Sequence, residues 1–171
     1  MRFIPVCTDA GIETLAGIAA SIWREYWPDR IGADQTEYMV EKYQSRRALT
    51  EAIREEGYCY LLMKHDGVTL GYLGIRPEEQ TGRLFLSKIY LYADERGKGY
   101  SSEAMRFLVQ LCESNGLTSI YLTVNKHNDP AIRAYKATGF KIVDSVETDI
   151  GSGFIMDDYI MEKDVSDARF A

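Results

Sequence analysis

The chain predicts an α/β fold, a mixed and mostly antiparallel central sheet of about seven strands flanked by about four helices. Three observations carry that reading. Short apolar or alternating runs bounded by turn residues occur at 2–6, 58–63, 68–75, 83–92, 119–124, 140–148 and 154–163, which is strand patterning. Between them, four segments repeat apolar residues at spacings of three and four, which is helix patterning. The order of the elements supplies the third: 58–63, 68–75 and 83–92 follow one another through tight turns, as antiparallel strands do. The strand, helix, strand run from 83 to 124 demands instead a parallel crossover.

Taken in order, Arg2 to Val6 suits a first strand. Thr8 or Asp9 can then cap a helix whose Ile12, Leu15, Ala16, Ala19, Ile22, Trp23 and Tyr26 form one apolar face. Trp27-Pro28 stops it. Asp34 with Glu37 three residues later reads as the cap of a second helical region, which continues with a break to Glu56, and Gly57 is its stop. His65-Asp66-Gly67 marks a tight hairpin turn between the next two strands, the second ended by Arg76-Pro77. Polar residues Glu78 to Gly82 turn the chain into the long strand 83–92. A helix from Ser102 shows Met105, Leu108, Val109 and Cys112 on one face and stops at Asn115-Gly116. Asp129-Pro130 then starts a short helix that ends at Gly139, since a cap followed by a first-turn proline favours a helix start. Two final strands follow around a turn at Ile150 to Gly153, and Asp164 to Ala171 reads as a polar tail.

At 171 residues, with no repeat or low-complexity linker, residues 1–171 read as one domain long enough to bury a core. The formal charge of -6 and pI near 5 argue against nucleic acid or an anionic membrane as partner and are compatible with cationic substrates. No apolar run reaches the roughly 18 to 20 residues of a membrane span and Met1 to Pro5 lacks signal-peptide anatomy, so the expected location is the cytoplasm. Cys7, Cys59 and Cys112 lie far apart among apolar neighbours and read as buried free thiols. His65 and His127 have no partners at ligand spacing, so no metal is expected.

The stretch Ile89 to Ser102 carries the chemistry. An apolar run breaks into Arg96-Gly97-Lys98-Gly99 just before a helix. Glycine lets a ligand approach the main chain, and a helix start offers unbonded N–H groups and a positive dipole end, which together make a phosphate site. Two common phosphate loops fail here. A mononucleotide loop needs Gly where Tyr92 stands and Ser or Thr where Gly99 follows Lys98. The dinucleotide fingerprint finds Ser102 in place of its third glycine and no acidic residue closing the next strand.

A third pattern fits. Arg96-Gly97-Lys98-Gly99-Tyr100-Ser101 resembles the pyrophosphate loop of the GNAT superfamily of N-acetyltransferases: Arg or Gln, two residues, Gly, one residue, then Gly or Ala, with Ser101 replacing the last. A second stretch, Val124 to Phe140, resembles the GNAT motif in which a strand ends, an Asn and an Ala follow, and a short helix bears a Tyr before Gly-Phe. Both occur in the family's order, and the succession of elements along essentially the whole chain is similar to that fold.

The resemblance implies a parallel strand pair splayed at the cofactor site. It also implies acetyl-CoA as co-substrate: Ile89 and Leu91 bonding its arm and acetyl carbonyl through their backbone, the loop Arg96, Gly97, Lys98, Gly99, Tyr100 and Ser101 on the pyrophosphate, Asn128 on the arm, and Tyr135 near the sulfur as the catalytic acid. A strand's fixed N–H groups stabilise charge on the acetyl oxygen, and a phenol can protonate the leaving thiolate. Where some family members place a Glu base, this chain has Phe85, Ser87 and Lys88, which leaves proton removal to ordered water. Asp149, Asp157 and Asp158 near the final hairpin are candidates for attracting a cationic amine, against the simpler reading of a solvated acidic face.

The implied function is transfer of acetyl from acetyl-CoA directly to a primary amine of a small molecule or peptide, a polyamine-like cation in the first instance. A non-catalytic acyl-CoA sensor is the alternative; it would keep the loop without needing Tyr135. The oligomeric state, a homodimer included, stays open.

Overall fold

The structure, a computed structural model, describes residues 1–167. Seven strands form one mixed sheet: β1 (Arg2–Pro5), β2 (Cys59–His65), β3 (Val68–Glu78), β4 (Arg83–Leu91), β5 (Ser119–Asn125), β6 (Lys141–Gly151) and β7 (Phe154–Asp164), hydrogen-bonded in the order β1-β2-β3-β4-β5-β7-β6. The β4–β5 pair is parallel, with Arg83↔Ser119 to Phe85↔Tyr121 in register. The helices are α1 (Asp9–Tyr26), α2 (Pro28–Ile31), α3 (Ala33–Gln44), α4 (Arg46–Arg54), α5 (Tyr100–Ser114) and α6 (Asp129–Ala137), with a 3₁₀ turn at Ala93–Glu95. The chain divides into two compact units, Met1–Arg76 with Lys88–Tyr100, and Pro77–Ser87 with the described residues from Ser101 to Asp167.

In the first unit Thr8 caps α1, its Oγ1 accepting from the Gly11 amide at 3.0 Å. Ile12, Leu15, Ala19, Ile22 and Trp23 give α1 the buried face that their spacing predicts. The core is also tied by a satisfied polar chain. Trp23 Nε1 donates to Tyr72 Oη at 2.7 Å, and that hydroxyl donates to Gln44 Oε1 at 2.9 Å, so these three buried side chains satisfy one another.

The second helical region differs from its sequence reading. Trp27 ends α1 as expected, and Pro28 then begins the one-turn α2, a first-turn position where its missing N–H costs nothing. Gly32, at φ +88°, precedes α3, and Asp34 lies inside the first turn rather than at the cap. Glu37 accepts from Arg24 Nε and Nη2 at 2.8 and 3.1 Å instead of completing a capping box. The expected break falls at Ser45, whose Oγ caps α4.

The β2–β3 hairpin turns at Asp66 and Gly67, φ +48° and +81°, the left-handed pair that a two-residue turn needs. β3 runs through Pro77 to Glu78 instead of ending at Arg76. Its ladder with β2 is complete at Cys59↔Ile75, so Pro77 lies beyond the bonds to β2 that its missing N–H would break.

In the second unit α5 ends as predicted at Gly116. Leu117 N bonds Cys112 O and Gly116 N bonds Glu113 O, the paired bonds of a left-handed glycine stop. Gly139 does the same for α6, through Phe140 N to Tyr135 O and Gly139 N to Lys136 O. β5 pairs antiparallel with β7 along its length, and Ile120, Leu122, Val124 and Met161 are buried together with Leu108 and Val109 of α5. The polar tail begins later than expected, because Val165 is buried and its amide donates to Thr118 O at 2.9 Å. The remainder of that tail, 168–171, lies outside the described residues.

The cysteines also need correction. Cys112 is fully buried and burial pushes its thiol up to about 11, but Cys7 and Cys59 are exposed. Apolar neighbours in sequence do not bury a residue that opens or closes an element.

Candidate active site

The phosphate loop is built from local backbone requirements. Gly97 and Gly99 take φ +74° and +86°, a region L side chains avoid, and the space where a Cβ would stand is open at both. Gly99 directly precedes Tyr100, the first residue of α5, and Ser101 is exposed in its first turn, where helix N–H groups have no partner within the helix. This is an anion cradle of main-chain donors.

The two cations of the loop are held differently. Arg96 Nε donates to Leu91 O at 3.1 Å, its guanidinium lies 4.9 Å from the Tyr26 ring centroid, and Nη2 is 3.8 Å from Glu25 Oε2. It braces the end of β4 against α1. Lys98 is exposed and pairs with Glu95 at 3.0 Å. Gly99→Val is therefore expected to weaken CoA binding at least tenfold, about 1.4 kcal/mol, by forcing a branched side chain into left-handed backbone before the helix. Lys98→Ala should change it little. Calorimetric titration of both variants decides; equal affinities would remove the loop as the pyrophosphate site.

Ile89 and Leu91 lie on β4, which delivers the chain to the loop. Beside Ile89, Lys88 is a charged residue the sequence reading left without a role. Burial pushes its amine down to about 8, and its stem lies against Gly74 of β3. A lysine directly before the apolar run Ile89-Tyr90-Leu91 was the available signal.

Asn128 is buried, 6 % exposed, and it rather than Asp129 caps α6: its Oδ1 accepts from Ala131 N at 3.4 Å, and Asp129 and Pro130 occupy the first turn. Tyr135, half-buried on α6, has its ring 5.5 Å from that of Phe140. The loop from Asn125 to Asn128 is fastened to β7, since Lys126 N donates to Asp157 O at 3.1 Å and Lys126 Nζ is 2.5 Å from Asp157 Oδ1.

Of the three acids singled out, Asp149 is exposed, Asp157 is paired and Asp158 is buried, 5 % exposed, opposite Asn125. Burial first, and the Asp157 charge second, push the Asp158 carboxyl up to about 6, with Lys126 opposing. A carboxyl raised above its unfolded value near 3.8 holds its proton more tightly in the folded state. The stability from this group is thus full below that value and is lost as pH rises through about 6. Asp158→Asn should raise stability at about pH 8 by up to about 3 kcal/mol and change it less at about pH 5. Urea unfolding at both values tests this, and a variant less stable than the parent at the higher pH would contradict it.

A seven-stranded mixed sheet with one parallel pair, leading into a left-handed two-glycine loop at a helix start, is the fold and loop that the sequence motifs imply. The chain belongs to the Acetyltransferase (GNAT) family, whose model matches residues 19–140. It is 28% identical over 159 residues, 92% of this chain and 99% of the relative, to an uncharacterized N-acetyltransferase of Mycobacterium tuberculosis. It is 31% identical over 103 residues, 58% of this chain and 60% of the relative, to an L-amino acid N-acetyltransferase of Escherichia coli. Among solved structures, the PaiA N-acetyltransferase of Thermoplasma acidophilum in complex with coenzyme A aligns with a TM-score of 0.76 at 20% identity, covering 96% of this chain and 99% of that one. A spermidine N-acetyltransferase chimera from Vibrio cholerae and a second enzyme aligns at 0.67 and 14%, covering 96% and 95%.

As a family member the chain uses acetyl-CoA as its co-substrate, and the open glycine cradle fits a pyrophosphate. Among the described residues no helix is long and apolar enough to cross a membrane, and no group of three or more His, Cys, Asp or Glu is placed to hold a metal.

Proposed function

We propose that the protein transfers the acetyl group of acetyl-CoA directly to a primary amine of a small, cationic acceptor such as a polyamine, acting in the cytoplasm as a single transferase domain. The observation that carries this reading is the exposed loop with Gly97 and Gly99 in left-handed backbone immediately before α5. Acetyl-CoA supplies a thioester, an acetyl group already activated toward an amine. Backbone N–H groups of the loop and of the first turn of α5 hold the diphosphate. Main-chain groups at Ile89 and Leu91 bind the arm and polarise the acetyl oxygen without reorganising. Asn128, buried and set by its own cap, contacts the arm, and the Tyr135 hydroxyl gives its proton to the departing sulfur. The net charge of -6 and the buried Asp158 favour a cationic acceptor.

The related E. coli enzyme is named for L-amino acids and a structural neighbour for spermidine, so the test is a panel. Purified protein with acetyl-CoA is offered diamines, spermidine, amino acids, aminoglycosides and lysine peptides, and free CoA is followed. Steady release with a polyamine above the amine-free rate is expected. Tight CoA binding with no amine-dependent release would instead identify an acyl-CoA sensor.

A further inference from the structure

The two exposed cysteines stand at the two ends of one segment. Cys7 immediately precedes the Thr8 cap of α1, and Cys59 opens β2 after α4, so all four helices α1 to α4 lie between them. β1 and β2 pair antiparallel from Arg2↔Lys64 to Pro5↔Leu61, and Val6 N continues the ladder with a 2.9 Å bond to Tyr60 O. Carried two residues past Pro5↔Leu61, the same register brings Cys7 opposite Cys59.

The parity of that ladder matters. The bond from Val6 N to Tyr60 O marks a hydrogen-bonding position of the ladder, so the positions on either side are non-bonded ones, and Pro5, which has no N–H, occupies the first of them. A non-hydrogen-bonded antiparallel pair has Cα atoms about 4.5 Å apart with both side chains on one face. That falls within the roughly 4.4 to 6.8 Å that a disulfide spans. The electrostatics agree, since the Cys59 thiol is pushed up by burial first and by the neighbouring Cys7 sulfur second.

We propose that Cys7 and Cys59 form a site of reversible oxidation, closing an intramolecular disulfide that staples together the two ends of the α1–α4 segment. The oxidant is a low-mass disulfide such as oxidised glutathione. The Cys7 thiolate attacks one glutathione sulfur, an S–S bond breaks, and the first glutathione leaves as thiolate and takes a proton. The Cys59 sulfur, losing its proton, then attacks Cys7 in the mixed disulfide and expels the second glutathione. Two protein thiols are oxidised and one glutathione disulfide is reduced to two thiols. Cys112, fully buried, takes no part. The bond stabilises by restricting the unfolded chain over the whole helical segment.

The full chain is incubated with oxidised glutathione, digested without reductant and mapped by mass spectrometry, with melting followed in parallel. A peptide linking Cys7 to Cys59, an intact mass lower by two hydrogens, and a melting temperature several degrees higher, all reversed by dithiothreitol, are expected. Cys7→Ser and Cys59→Ser should each stop at a glutathione adduct on the other member of the pair, with no gain in melting temperature. Wild-type protein that ends as separate glutathione adducts, links to Cys112 or another chain, or does not react overturns the proposal. None of these readouts depends on the acetyltransferase reading.

Discussion

Tyr135→Phe is expected to lower kcat by about 10² to 10⁴-fold, the span of a positioned acid, and to leave CoA affinity nearly unchanged. Phenylalanine keeps what the structure assigns to the ring and backbone: the 5.5 Å packing on Phe140, and the Tyr135 carbonyl that accepts from Phe140 N at 3.0 Å and from Thr138 Oγ1 at 2.8 Å. Only the hydroxyl is lost. An interaction made in the transition state alone lowers kcat without weakening ground-state binding. If Tyr135 serves packing only, Phe retains activity and Tyr135→Ala loses both activity and stability. Measuring kcat, KM and Tm for both variants separates the two, and near-parental turnover in the Phe variant removes the hydroxyl from the mechanism.

Gly71→Ala is expected to destabilise the protein by at least about 3 kcal/mol, the upper end for forcing atoms into a filled space. A Cβ at Gly71 would lie 1.9 Å from Tyr90 O and 2.8 Å from Leu91 Cα, which are main-chain atoms of β4. Strand β3 would have to move away from β4 beside Leu91, where Tyr92 N bonds Leu70 O at 3.0 Å, so CoA binding should fall as well. Gly74→Ala is the control. Its Cβ would meet the Tyr60 ring at 2.8 Å and Lys88 Cγ at 3.1 Å, side-chain atoms of which the lysine stem can turn aside. Denaturant midpoints should therefore drop further for Gly71→Ala than for Gly74→Ala; equal midpoints would mean that β3 and β4 tolerate a side chain between them.

The sequence by itself determined what depends on near neighbours in the chain. The apolar periods of α1 and α5, the left-handed turn at Asp66-Gly67, the glycine stops at Gly116 and Gly139 and the two-glycine loop each follow from spacing or from a φ that only certain residues adopt readily. The family motifs are of that kind, which is why the loop and Tyr135 could be singled out in advance. Tertiary structure decided whatever depends on which elements meet. Glu37 looked like half of a capping box until Arg24, on another helix, took its carboxylate. Asp129 read as the cap of α6, and the bond from Ala131 gave that place to Asn128. Cys7 and Cys59 became neighbours only through the register of β1 on β2, and Gly71 became indispensable only where Tyr90 crosses it. The burial of Asp158, and so its raised carboxyl, likewise comes from packing around β7, because desolvation depends on atoms brought close by the fold and distant in the chain.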